Sequence, residues 1–357
     1  MPLQLRFSRH DLQFRFDART SRGKIEQHRA YYLQLTNSEE PDRSGWGEAA
    51  PLAGLSPDHR PDLETKLTEL IRTFSARNPS VLAEARAWLA ETDLEKWPAL
   101  KFGLETAISD LDNGGRKILF DTAFSRGEAG IPINGLIWMG DETFMQEQIK
   151  QKLEQGYTCL KLKIGGLDFE TECRILASVR QVAPAEKLTI RLDANGAFTP
   201  ENALLRLERL ETFGVHSLEQ PVKPGQFEVM QKICRESPVP IALDEELIGI
   251  TRPELQRELV TGLKPAFLIL KPTLLGGLAE TRNWIDLAEA NNTGWWITSA
   301  LESNIGLNAI AQFTSLYHDL IPQGLGTGQL YTNNIASPLQ IRNGSLFYEP
   351  GKAWQAL

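Results

Sequence analysis

Five stretches decide the fold: Cys159-Leu-Lys-Leu-Lys-Ile-Gly165, Ile190-Arg-Leu-Asp-Ala-Asn-Gly196, Ser217-Leu-Glu-Gln-Pro221, Ile241-Ala-Leu-Asp-Glu245 and Leu268-Ile-Leu-Lys-Pro272. Each is a short apolar run that ends in a charged residue, as a buried parallel strand does when its last side chain emerges at the end of a sheet. Candidate strand ends fall at Asn134, Lys163, Asp193, Glu219, Asp244, Lys271, Ser299 and Gly326. Their separations, roughly 25 to 30 residues, match the βα unit of an eight-stranded barrel. Helical spacing of apolar residues predicts helices at 142–155, 168–182, 200–213, 226–236, 251–260, 277–291 and 303–318. A doubly wound open sheet is the alternative, and the regularity of eight units favours closure.

Upstream of this repeat the pattern is different. Residues 3–16 and 30–36 alternate as half-buried antiparallel strands do, and 46–49 adds a third short strand. Helical spacing then covers 61–74, 80–90 and 98–112, the last stopped by Gly114-Gly115. The expected fold class is α/β, a modified (β/α) TIM-type barrel over 126–328 with an N-terminal α+β capping domain over 1–125. The segment 329–357, rich in Asn and Pro at its start, is expected to return and complete the capping domain.

The 357 residues carry 41% hydrophobic and 24% charged side chains and a net charge of -8. This is a globular composition, and its acidic balance excludes a protein that tracks phosphates through clustered Lys and Arg. A small molecule is the expected partner, with no nucleic acid and no membrane, and the oligomeric state is left open. Residues 1–16 have no uninterrupted apolar stretch, so neither a signal peptide nor an anchor is read there. Cys159, Cys173 and Cys234 form no CxxC pattern, which fits a reducing cytoplasm better than a disulfide or thiolate-metal framework.

Barrel chemistry gathers at the C-terminal ends of the strands, where this chain places Lys161, Lys163, Asp193, Glu219, Asp244 and Lys271. Taken singly, a Lys-x-Lys or an Asp-x-Asn is most simply a solvated stripe or a loop start. Taken together, one charged group per consecutive strand at the same end of the same repeat points to a site. Asp193, Glu219 and Asp244 supply the hard oxygen ligands Mg²⁺ prefers, with Mn²⁺ as an alternative. No convergent His or Cys favours zinc or copper. The lysines then flank the metal. Removing a proton beside a carboxylate needs the resulting charge stabilised by cations placed in advance, and a lysine with a lowered pKa can act as the base. The expected partner is therefore a small-molecule carboxylate.

In their order, Lys161-x-Lys163, Asp193-x-Asn195, Glu219-Gln220-Pro221, Asp244-Glu245 and Lys271 resemble the enolase superfamily, in its muconate-lactonizing-enzyme-like branch, and the resemblance covers nearly the whole chain. The resemblance implies that Gly47 to Leu52 is a capping loop over the site and that Ser21-Arg22-Gly23 is a second, flexible loop. Within the branch a His base on strand seven is missing, since His10, His28, His59, His216 and His318 stand elsewhere, and strand eight has Gly326-Thr327-Gly328 in place of an ammonium-gripping Asp-x-Asp.

Together with Ser299 to Asn308, these features resemble members that eliminate water in syn fashion from 2-succinyl-6-hydroxy-2,4-cyclohexadiene-1-carboxylate, with an N-acylamino-acid racemase or dipeptide epimerase as the alternative. The implied roles are Lys163 as base and then acid, Lys161 as adjacent positive charge and Lys271 as an electrostatic stabiliser. Asn195 and Glu245 would orient the ligands, while Ser299, Ser303, Gly276 and Gly277 would contact substrate. His216, Trp295 and Trp296 are read as packing residues. Trp46 and Leu55 are read as either lid or cap core.

Overall fold

The computed structural model describes residues 2–20, 23–25, 27–37 and 39–357; Ser21 and Arg22 of the expected second loop lie outside them. The N-terminal strands Leu3–Leu12, His28–Asn37 and Glu40–Ala49 form an antiparallel sheet in chain order. Alternation decides which face is covered, and Leu3, Leu5, Tyr31, Leu33 and Leu35 bury against the helices Leu63–Arg77, Leu82–Glu91 and Pro98–Asp112. The third strand begins at Glu40, earlier than expected, because residues 40–45 carry no apolar alternation and are held by pairing with the preceding strand.

Close approach sets the glycines of that strand. A Cβ on Gly47 would lie 1.8 Å from the Gly103 carbonyl oxygen, and one on Gly45 would lie 2.1 Å from that of Ala107. The strand therefore rests directly on the backbone of helix Pro98–Asp112.

The barrel contains seven parallel strands in chain order: Gly135–Ile137, Cys159–Lys163, Thr189–Asp193, Ser217–Glu219, Ile241–Leu243, Phe267–Leu270 and Gly294–Ile297. The expected eighth strand is a correction. Gln323 and Gly324 make only single parallel bridges, to Ile133 and Thr298 respectively, so two residues join the two edges of a seven-stranded sheet. Helices Glu142–Glu154, Phe169–Val182, Ala203–Glu211, Phe227–Glu236, Pro253–Leu263, Leu278–Ala290 and Asn304–Thr314 cover the outside. Three open on side-chain caps, with Asp141, Asp168 and Ser303 accepting from Phe144, Thr171 and Ile305 N–H groups. His216 stacks near Phe267, 4.9 Å between ring centroids, and Trp296 packs in the barrel interior with Ala242 and Ile269.

The C-terminal segment touches both parts of the molecule. The Arg15 N–H donates to Leu330 O (2.9 Å) and the Thr332 N–H to Gln13 O (2.8 Å), alongside the end of the first strand. The hairpin Leu339–Arg342 and Ser345–Tyr348 instead pairs with Ile131–Pro132 at the start of the barrel. No helix of the described residues is long and apolar enough to cross a membrane.

Gly47→Ala is expected to destabilise the protein by about 1–3 kcal/mol, the usual cost of forcing volume into a packed interface. Chemical denaturation checks this, and an unchanged midpoint would mean that strand and helix can separate at no cost.

Candidate active site

Strand register assembles the site. Lys163 pairs with Asp193, Asp193 with Glu219, and Glu219 with Ala242. In parallel strands, paired residues point to the same side, and so do residues two apart. Lys161, Lys163, Asp193, Glu219 and Asp244 consequently share the interior face at the C-terminal end. Lys271 follows directly on strand Phe267–Leu270.

Lysines and carboxylates interlock there. Lys161 Nζ lies 2.9 Å from Asp193 Oδ2 and 2.7 Å from Glu219 Oε2. Lys163 Nζ donates to Asp193 Oδ2 (2.9 Å) and to Asn195 Oδ1 (2.8 Å). Lys271 Nζ donates to Asp244 Oδ2. Asn195 also bonds through its amide nitrogen to Glu245 Oε1 (3.0 Å), which ties the loop after strand three to the loop after strand five.

The chain turns sharply just after two of the carboxylates. Asn195 and Gln220 have left-handed φ values of 44° and 43°, sparsely populated conformations that surrounding contacts must hold. For Gln220 those contacts are visible: its amide donates to Val222 O and Glu246 Oε2, both at 3.0 Å, and its carbonyl accepts from the Asp244 N–H (3.3 Å) and the Glu246 N–H (3.2 Å).

Electrostatics show what the cluster lacks. Burial alone would hinder ionisation of Asp193, yet Lys161, Lys163 and Lys271 hold its pKa far below the usual carboxylate range. For Glu219, burial and the neighbouring charges of Asp193 and Asp244 win over Lys161 and raise its pKa well above that range. Burial also opposes the charge on Lys161 and Lys271. The carboxylates outweigh it and raise both lysines, mainly Asp193 and Glu219 for Lys161 and Asp244 for Lys271. Both are raised because their nearest charges are anions rather than cations.

Among the described residues, no three His, Cys, Asp or Glu groups stand gathered as an ion would hold them; ammonium groups lie against the carboxylates instead. The donor set nonetheless fits a hard divalent cation. Glu219 is buried, is repelled by two acidic neighbours, and has one oxygen, Oε2, without an aligned hydrogen bond. A cation among Asp193, Glu219 and Asp244 would remove that repulsion.

A cavity of about 80 Å³ opens on this network, lined by Lys161, Lys163, Asp193, Asn195, Lys271 and Ser299 among others, with Leu52 and Leu55 of the capping segment as its apolar side. Trp46 is not among its lining residues; it packs with the cluster around Leu12 and Tyr32.

Three expected substrate contacts are corrected. Ser303 is fully buried, where its hydroxyl donates to Glu48 Oε2 (2.6 Å) and caps helix Asn304–Thr314. Gly276 and Gly277 form the left-handed turn between the helical turn Pro272–Leu275 and helix Leu278–Ala290, outside the catalytic cavity. Ser299 does line the cavity, but its hydroxyl donates to Glu302 and accepts from Thr327 (2.8 Å).

Sequence reading missed Glu48, which accepts from Ser303 N (2.7 Å) and Gly306 N (2.7 Å) and so pins the capping sheet to the barrel. Its position inside the Gly47 to Leu52 segment was the available signal. Glu302, held by Thr273, Ser299 and the Ala300 N–H, was missed as well; an acid inside an apolar strand-end stretch is the signal that could have found it.

The chain belongs to the enolase superfamily: residues 144–351 match the family described as Enolase C-terminal domain-like. Along 96% of its length it is 45% identical to o-succinylbenzoate synthase from Desulfotalea psychrophila, covering 98% of that protein. The crystal structure of MenC from the same organism superposes with a TM-score of 0.87 at 43% identity, over 97% of this chain and all of that one. N-succinylamino acid racemase from Amycolatopsis is 25% identical over 88% of this chain and 84% of its own.

Because the folded state raises the Glu219 pKa, its protonation stabilises the metal-free protein, and that contribution fades as pH rises through the raised value. Chelated wild-type protein should therefore gain thermal stability as the pH is lowered from 7.5 toward 5. Glu219→Gln should melt higher than wild type at pH 7.5, should lack that share of the gain, and should lose stabilisation by added Mg²⁺. A Gln variant that melts lower at pH 7.5 and still responds to Mg²⁺ would contradict this.

Proposed function

We propose that this protein catalyses Mg²⁺-dependent syn dehydration of 2-succinyl-6-hydroxy-2,4-cyclohexadiene-1-carboxylate to o-succinylbenzoate, a carbon–oxygen lyase step of menaquinone synthesis. The observation that carries the reading is identity with a synthase of that name along nearly the whole chain, and the lysine-flanked carboxylates agree with it. Asp193, Glu219 and Asp244 would hold the metal. When bound, Mg²⁺ supplies the positive charge that offsets the negative charge building on the substrate carboxylate as the adjacent proton leaves.

Lys163 sits against Asp193 and Asn195 at the cavity edge. In the proposed reaction it takes the proton beside the carboxylate and returns it to the departing hydroxyl, so one residue serves both halves of a same-face elimination. Lys161, deeper and between two carboxylates, holds positive charge and moves no proton. Lys271 approaches from strand six, across the barrel from strand two, and stabilises the developing charge without proton transfer. Asn195 and Glu245 brace the loops that carry the ligands. Water is kept out by the apolar side formed by Leu52 and Leu55.

We also propose a working division into a capping domain over 1–125, a catalytic barrel over 126–328 and a terminal segment over 329–357, as well as a cytoplasmic location, which the free thiols of Cys159, Cys173 and Cys234 support.

Racemisation of N-acylamino acids is the second reading, favoured by the presence of both Lys163 and Lys271 at the cavity. The two differ in what they ask of Lys271. Purified protein with Mg²⁺ should bleach the cyclohexadiene absorbance and stop after thorough chelation. Lys163→Ala should lose about 10²- to 10⁴-fold in rate, the usual worth of a positioned acid–base group. Lys271→Arg, which keeps the charge, should retain measurable dehydration. Turnover that survives chelation would overturn the metal assignment. Failure to dehydrate, combined with deuterium exchange into both enantiomers of an N-succinylamino acid, would favour racemisation.

A further inference from the structure

The catalytic cavity, about 80 Å³, is small for the whole proposed substrate, and it adjoins a second space of about 290 Å³. Asn134, Leu136, Trp138 and Gly326 line both. This second space lies between the first barrel strand with helix Glu142–Glu154 on one side and Gly326, Gln329 and Leu330 on the other.

Asn134 occupies a telling position on the wall between them. Thr298 bridges Gly324 and Ile133 bridges Gln323, so Asn134 follows Thr298 around the barrel, level with the strand-six end that carries Lys271 (the Thr298 N–H donates to Leu270 O, 2.9 Å). Asn134 is 4% exposed, and among the described residues its Oδ1 has no hydrogen-bond partner. Trp138 Nε1, on the same wall, is likewise buried without a partner, while the hydroxyls and the other amide of the cavity are engaged. Thr298 Oγ1 donates to Gly324 O (2.9 Å), Thr327 to Ser299, Ser299 to Glu302, and Asn195 bridges Lys163 and Glu245. A buried amide atom left without a partner is costly, which marks the place of Asn134 Oδ1 as awaiting one. A half-turn of the amide presents either its carbonyl or its NH₂.

Beyond Asn134 the second space is apolar along Phe16, Leu136, Trp138 and Phe144, and Lys152 and Tyr157 also line it. Lys152 Nζ lies over the Tyr157 ring (4.9 Å from its centroid) and reaches Gln155 at 3.5 Å, and none of the ion pairs among the described residues includes it. Burial without a nearby acid pulls its pKa down. Arg15 stands exposed at the rim, where solvent weakens its field.

Resting on the dehydratase reading, we propose that this second space is the subsite for the succinyl arm, with the Asn134 amide donating to the ketone that joins ring to arm and Lys152 receiving the terminal carboxylate. The order of groups in the ligand then matches the order along the wall: ring carboxylate at the metal site, ketone at Asn134, two methylenes against Leu136 and Trp138, and carboxylate at Lys152.

Calorimetry with the Mg²⁺-loaded protein and three stable probes tests this. They are o-succinylbenzoate, its analogue with a methylene in place of the ketone, and its analogue with a methyl group in place of the terminal carboxylate. Wild type should prefer the first over the methylene analogue by about five- to tenfold, the worth of one neutral hydrogen bond, and over the methyl analogue by about tenfold or more. Asn134→Leu should erase the first preference and keep the second, and Lys152→Met should do the reverse, with thermal melting confirming that both variants fold. If Asn134→Leu does not fold, Asn134→Ala is read in the same way. A preference that survives its own variant overturns the subsite while leaving the dehydratase reading intact. Failure of wild type to bind o-succinylbenzoate at all overturns both.

Discussion

The mouth of this barrel is governed by acidic side chains buried away from water against lysine ammonium groups. Asp193, Glu219 and Asp244 emerge from consecutive strands, and Asp193 and Glu219 are direct cross-strand partners. Their mutual repulsion falls chiefly on Glu219. Lys161, Lys163 and Lys271 supply the balancing charge. These are also the lysines to which the proposed function gives the substrate-facing roles. Local stability is given up for this: the charges are buried, and the turns after Asp193 and Glu219 are held in left-handed conformations by side-chain bonds.

Most of the barrel could be read from the sequence because its signal is local. An apolar run ending in a charge reports a strand and its direction, and regular spacing reports the repeat. Asp141 and Asp168 stand where the expected helices begin, through capping chemistry that depends on a few adjacent residues. The eighth strand could not be read correctly, because its place in the sheet rests on two backbone bridges and leaves no alternating pattern. The first half of the Glu40–Ala49 strand was hidden for a related reason, since pairing rather than apolar spacing holds it.

The site was legible in kind but not in distance. Residue type and order were enough to single out the lysines and carboxylates. They could not tell whether Ser303 faces a ligand or a helix end, a question decided by Glu48 arriving from 255 positions away in the chain. Glu48 also shows how the two parts communicate: its burial pushes its pKa up to about 7 despite three donors from the start of helix Asn304–Thr314. The contact between the capping sheet and the barrel is therefore made by a buried carboxyl whose ionisation burial opposes.

In the proposed function, Asp193, Glu219 and Asp244 are the ligands of one divalent cation. A crystal structure of the protein soaked with Mn²⁺, with the ion located by its anomalous signal, tests it most directly. One ion should bind to oxygens of Asp193, Glu219 and Asp244 at about 2.0–2.2 Å, close to the distances of hard-cation sites, with the Lys161 and Lys271 ammonium groups moved off the ligating oxygens. An ion bound elsewhere, or a network that keeps every lysine–carboxylate contact at saturating metal, would contradict it.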